Sequence, residues 1–169
     1  MIIFGVDPGT NITGYGVISV SGNRVSWVDS GVIKVAKESG LPEKLETIYD
    51  GLIGKMSEHA PARVCVEQAF YAKNVHTTLL LGHARGVAIL AAKKVGACVA
   101  EYSPREIKKS VVGNGNAAKE QVEYMIHSLL AVPTRSVHAD AYDALAAALC
   151  DFQNYRHREL LAVGGKRHV

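Results

Sequence analysis

The 169-residue sequence predicts one α/β domain, a five-stranded mixed sheet with helices on both faces. Two observations lead there. Short apolar runs of strand length follow one another closely at the start of the chain, and beyond about residue 60 they alternate with longer stretches of helical periodicity. The first pattern suits an antiparallel meander and the second suits βαβ crossovers, so their succession predicts a mixed sheet.

Residues 2–7 form an apolar run of the kind found in a central strand, ending in Asp7. Residues 14–20 and 24–33 read as two further strands, with Ser21-Gly22-Asn23 as a tight hairpin turn between them. Pro42 then opens a helix to about Glu58, with Leu45, Ile48, Leu52, Ile53 and Met56 on one face. A strand over 62–67, a helix over 75–95 and a strand over 97–101 follow. Helices over 104–111, 117–130 and 138–155 complete the order, the middle one capped by Asn116. The domain is expected to span residues 1–155, and the basic segment 156–169 to be a mobile tail.

A hydrophobic fraction of 48% and a charged fraction of 21% are those of an ordinary globular protein. The net charge of +3 permits nucleic acid without arguing for it. Cys65, Cys98 and Cys150 are far apart and lack metal-ligand spacing, so buried reduced thiols are expected. No signal peptide is apparent, and the apolar stretches near 87–92 and 144–150 are too short to span a membrane. A cytoplasmic protein with no membrane partner is the expectation.

Four acids stand out. Asp7 and Glu67 each end a buried-type strand, where an unpaired carboxylate is costly. Asp140 and Asp143 are three apart at a helix start and share a face. Ligands of open α/β sheets gather beyond the carboxyl ends of the strands, and a helix start placed there would bring all four acids together. Like charges 4 Å apart repel by roughly 4 kcal/mol per pair at an effective dielectric near 20, so such a pocket requires a cation. Mg²⁺ suits it, preferring hard oxygen ligands. Taken singly, an Asp before Pro-Gly is an ordinary turn residue and Asp-Ala-Tyr-Asp an ordinary solvated helix start; it is the combination that points to two-metal phosphoryl transfer. His138, beside the cluster, reads either as a base or ligand or as a local hydrogen-bonding group.

These residues lie in longer blocks. Phe4-Gly-Val-Asp-Pro-Gly-Thr-Asn-Ile-Thr-Gly-Tyr-Gly-Val, Val66-Glu-Gln-Ala-Phe-Tyr-Ala-Lys-Asn, Gly82-His-Ala-Arg-Gly-Val-Ala, Val111-Val-Gly-Asn-Gly-Asn-Ala-Ala-Lys and Asp140-Ala-Tyr-Asp-Ala-Leu-Ala together resemble the RuvC family of bacterial Holliday-junction resolvases, in order, over residues 1 to about 152. The first block alone is shared with other ribonuclease-H-like proteins. The resemblance implies a ribonuclease-H-like fold, a homodimer, and Mg²⁺-dependent paired nicking of four-way junction DNA in recombination and repair. It implies two Mg²⁺ per active site, replaceable by Mn²⁺, held by Asp7, Glu67, Asp140 and Asp143. It also implies products with 5′-phosphate and 3′-hydroxyl ends, and work alongside the branch-migration helicase complex RuvA-RuvB. Some relatives carry a histidine in place of the third acid; here Asp140 stands there, so that role does not pass to His138.

Junction cutting needs cations that track phosphates. Arg105, Lys108, Lys109 and Lys119 cluster around Gly113-Asn-Gly-Asn, and by resemblance Lys108 and Lys119 lie near the scissile phosphate, Lys119 with a catalytic part. Phe70 and Tyr71 follow Glu67 and are suited to stacking on unpaired bases, or to packing beneath their loop; Lys73 and Asn74 are placed to meet the backbone beside them. Gly82 and Gly86, four apart on a helix, permit close approach of either a second subunit or the sheet. The rival readings are a ribonuclease-H-like nuclease of other specificity, a junction-binding module without catalysis, and an actin-like ATPase, for which the chain is too short to supply both lobes.

Overall fold

A computed structural model of the chain describes residues 1–68, 74–133 and 138–164, the last three by backbone alone. The element order is β1 (Ile2–Asp7), β2 (Ile12–Ser21), β3 (Arg24–Lys34), α1 (Leu41–His59), β4 (Arg63–Glu67), α2 (Val75–Lys94), β5 (Cys98–Tyr102), α3 (Pro104–Val112), α4 (Lys119–Leu130) and α5 (Ala139–Gly164). The strands form a sheet in the order β3-β2-β1-β4-β5. β3, β2 and β1 are antiparallel neighbours, whereas β1, β4 and β5 run parallel. This is the expected meander joined to crossovers.

The period-2 alternation of the strands sorts their side chains onto two faces. Phe4, Val6, Tyr15, Val17, Val64 and Val66 pack under α1 and α2, where Ile48, Leu52, Met56, Ala84, Ala88 and Ala91 are buried. Ile3, Ile18, Cys65 and Tyr102 face α3, α4 and α5, meeting Ile107, Ile126, Leu145 and Phe152. Asp151 of α5 lies wholly buried in this second layer. Arg63 at the start of β4 grips it through Nε at 2.6 Å and Nη2 at 2.8 Å, and the Tyr102 hydroxyl donates to it at 3.1 Å. A buried carboxylate is tolerable only when paired and hydrogen-bonded in this way.

Several local expectations change. Asn116 does not cap the fourth helix: its N–H donates to Asn114 Oδ1, and α4 begins only at Lys119, after Ala117 has been inserted into the core. Gln121 Oε1 reaches back to accept from the Ala118 N–H, half of a capping box. The last helix does not stop near residue 155 but continues to Gly164. Its outer turns escape the periodicity signal because Leu160 and Leu161 lie exposed rather than on a core. Cys65 and Cys150 are buried as expected, but Cys98, at the start of an edge strand, is exposed.

Helix α2 is long and apolar enough in composition to cross a membrane. Here it covers the sheet with an alanine face and is tied to β5 by Arg85, which pairs with Glu101. Its outer face carries Val75, Leu79, Gly82, Gly86 and Leu90. A methyl group added at Gly82 or Gly86 would meet nothing within 4 Å, so these glycines do not serve the sheet contact.

Candidate active site

In the parallel ladder Val6 pairs with Val66, so the next residues, Asp7 and Glu67, leave the sheet side by side on the face that carries α5. The turn beyond Asp7 is pinned by Thr13, a buried residue whose hydroxyl donates to the Gly9 carbonyl at 2.7 Å and accepts from the Gly9 N–H at 3.3 Å. Across this strand end lies the start of α5. There His138 acts as a cap: its carbonyl accepts from Ala141 and Tyr142, and its Nδ1 lies 3.4 Å from the Asp140 N–H and 3.3 Å from Asp140 Oδ2. The local hydrogen-bonding reading of His138 therefore describes what its ring touches.

Asp7, Asp140 and Asp143 each present an oxygen within 4.8 Å of the others. Glu67 stands outside that trio on the neighbouring strand. It lines the same cavity, of about 230 Å³, with Asp7, Asp143, Lys108 and Lys119. Burial, reinforced by the Asp143 and Asp140 charges, pushes Asp7 up from an ordinary 3.8 to about 7; Lys119 opposes the shift. Burial also pushes Glu67 from 4.5 to about 8, with Asp7 and Asp143 adding to the effect and Lys119 and Lys108 opposing it. Carboxylates held so far up are acids waiting for a countercharge. Part of it comes from Lys119, whose Nζ lies 2.7 Å from Asp143 Oδ2.

The basic residues divide by helix face. Lys108, on the inner side of α3, lines the acidic cavity and donates to the Ala117 carbonyl at 2.7 Å, bracing the loop that leads into α4 and Lys119. Arg105 and Lys109, four apart on α3, face an adjoining surface groove lined also by Gly113, Asn114 and Gly115. Asn74 is exposed and caps α2, its Oδ1 accepting from the Thr77 N–H at 3.0 Å. Phe70, Tyr71 and Lys73 lie outside the described residues. Thr13 escaped the sequence reading, which began the strand at Gly14 where the structure begins β2 at Ile12, because a lone threonine carries no sign that its hydroxyl will close a turn.

A second group of Asp29, Glu58 and His59 also gathers possible ligand atoms. Lys55 sits 3.1 Å from both Asp29 Oδ2 and Glu58 Oε2, so its countercharge is a protein ammonium and the group reads as a structural network between β3 and α1.

A ribonuclease-H-like sheet with acids converging at the carboxyl ends of β1 and β4, flanked by lysines, belongs to the nuclease class of α/β folds. Within that class the chain belongs to the crossover junction endodeoxyribonuclease RuvC family, whose model matches residues 3–151. The protein of that name from Shewanella amazonensis is 45% identical over 168 residues, covering 99% of this chain and 95% of its own. The one from Syntrophotalea carbinolica is 48% identical over 161 residues, covering 95% and 99%. Among solved structures, Thermus thermophilus RuvC in complex with Holliday junction substrate superposes with a TM-score of 0.86 at 28% identity, covering 93% of this chain and 96% of that one.

Proposed function

We propose that this protein is a metal-dependent endodeoxyribonuclease that resolves four-way DNA junctions by paired symmetric nicks in recombination and repair. The observation that carries the proposal is the gathering of Asp7, Asp140 and Asp143 within 4.8 Å in a chain of this family. The donor set is all hard carboxylate oxygen, which fits Mg²⁺ and, by the same chemistry, Mn²⁺. Asp7, Glu67, Asp140 and Asp143 are the proposed ligands and would hold two such ions among them. When bound, such ions lower the pKa of the attacking water and stabilise the departing 3′ oxygen, leaving 5′-phosphate and 3′-hydroxyl ends.

The chain's own residues have the following proposed parts. Lys119, paired with Asp143 here, would turn its ammonium towards the scissile phosphate once Asp143 serves as a metal ligand, and would there offset charge in the transition state. Lys108 braces the loop before Lys119 and faces the same cavity. Arg105 and Lys109 follow the backbone along the adjoining groove, Asn74 and Lys73 are further backbone contacts, and Phe70 and Tyr71 stack on bases at the junction centre. A homodimer places two such sites on the two equivalent strands of a junction. Support for it comes from the outer face of α2, where Leu79 is 59% exposed and the glycines at 82 and 86 leave room for a second helix. Family membership supports, as part of the same proposal, a cytoplasmic setting and cooperation with the RuvA-RuvB branch-migration complex.

The test is incubation of the pure protein with an end-labelled four-way junction, with Mg²⁺ or with chelator. Paired nicks at symmetric positions only with Mg²⁺ are expected. Binding without nicking in Mg²⁺ would sink the proposal, and cutting of RNA–DNA hybrid in preference to junctions would move it to the nuclease of other specificity.

A further inference from the structure

Asp140 sits where it does because the residue beneath it, Gly14 of β2, has no side chain. Gly5 on β1 and Gly14 and Gly16 on β2 alternate with Phe4, Val6, Tyr15 and Val17, whose side chains take the opposite face, so the three glycines all lie against α5. A methyl group built on Gly14 would stand 2.0 Å from the Asp140 carbonyl oxygen, 2.5 Å from its carbonyl carbon and 3.1 Å from its Cβ. One turn along the helix, a methyl group on Gly5 would stand 1.9 Å from the Ala144 oxygen. The nearest atoms at Gly14 belong to the backbone, so no rotamer change relieves the contact; the helix start itself would have to withdraw by more than about 1 Å to restore van der Waals distance.

That position matters because Gly14 is also the cross-strand partner of Asp7. One residue therefore touches both the strand that ends in one acid and the backbone of another, whose carboxylate oxygens lie within 4.8 Å of each other. Metal sites are sensitive at this scale, since a misplacement of about 1 Å costs on the order of a hundredfold in rate.

We propose that Gly14 is a positioning residue for the acidic cluster: the missing side chain sets the separation of Asp140 from Asp7 and with it the affinity of the site for divalent cations. The proposal rests on the metal-binding reading above, but not on the junction as substrate. It is tested on the full-length protein without DNA, using Mn²⁺ as the probe and following binding by electron paramagnetic resonance. Gly14→Ala is expected to weaken Mn²⁺ binding about tenfold or more, while thermal unfolding remains cooperative and junction binding in chelator stays within about twofold of the parent, as expected for a change that spares the DNA-facing groups. Adding Asp140→Glu to Gly14→Ala lengthens the withdrawn carboxylate and is expected to recover part of the lost affinity, a rescue that a purely structural role would not produce. Unchanged Mn²⁺ affinity in a folded Gly14→Ala protein would overturn the proposal. So would failure of Gly14→Ala to fold, which would make the contact a requirement of the fold, and so would a double variant no better than the single one. If the parent binds Mn²⁺ yet leaves junctions uncut, the resolvase reading fails while the Gly14 comparison still stands.

Discussion

Lys119, in the first turn of α4, holds its ammonium nitrogen 2.7 Å from Asp143 Oδ2 near the start of α5. Lys119 is 60% exposed, so the pair contributes little to stability, within about 1 kcal/mol. Its importance is electrostatic and local. The same ammonium opposes the upward shifts of Asp7 and Glu67, standing in the field of all four acids at once. Lys119→Met is expected to lower junction turnover about a hundredfold while changing the denaturation midpoint little. Single-turnover cleavage beside chemical denaturation separates the two effects, and a parallel loss of both would make Lys119 a structural residue.

Asp7→Asn keeps the shape of the site and removes one of its carboxylates. It should bind junctions with near-parental affinity and cut them about a thousandfold more slowly. Gel-shift and nicking assays on one preparation decide the matter; normal cleavage would refute the assignment of Asp7 as a metal ligand.

The raised carboxyls make the metal-free protein sensitive to pH in a definite direction. Asp7 and Glu67 hold protons up to about pH 7 and 8 when folded, but release them near pH 4 when unfolded. Between those limits the folded state binds more protons, so stability is greatest near and below pH 4 as far as these two groups are concerned, and declines until about pH 8. In chelator, Asp7→Asn should therefore unfold at least about 3 °C above the parent at pH 8 and close to it at pH 4.5. Mg²⁺ should narrow the difference at pH 8 by stabilising the parent more than the variant. Equal melting temperatures at both pH values would show that the acids are better solvated than their burial indicates.

Thr13→Val keeps the volume of the side chain and removes both hydrogen bonds to Gly9. Leaving the Gly9 groups unpaired at a part-buried turn should cost about 1–3 kcal/mol. The loss should appear in urea titrations and be accompanied by weaker metal binding, since the turn follows Asp7 directly. A stability change without any effect on metal binding would detach this turn from the site.

Arg63→Met strands the Asp151 carboxylate in the core. Removing one partner of a buried pair costs about 3–5 kcal/mol, a loss measurable by denaturant unfolding. Asp151→Asn, which retains an acceptor for the Tyr102 hydroxyl, should be milder.

The outer face of α2 gives the proposed dimer its test. Leu79→Glu places a charge on an exposed apolar stripe and should shift the protein from dimer to monomer in sedimentation equilibrium without altering its far-ultraviolet circular dichroism. A dimer that survives the change assembles elsewhere.

The amino-acid sequence alone determined the order and type of every element, because strand alternation and helical periodicity are local properties. It also marked out Asp7, Glu67, Asp140 and Asp143, since an acid ending a buried strand or paired on a helix start contradicts its apolar surroundings. Local patterns misplaced the start of α4, where Ala117 is drawn into the core and Asn116 turns back to Asn114, and the end of α5, whose outer turns have no core to reveal them. Only the tertiary structure joined Arg63 to Asp151 across 88 residues, set Lys119 on Asp143, and showed that Gly14 leaves room for the backbone of Asp140. These relationships arise where elements distant in the chain pack together. Their distances depend on the volumes of the facing residues, which no periodicity in a single segment records.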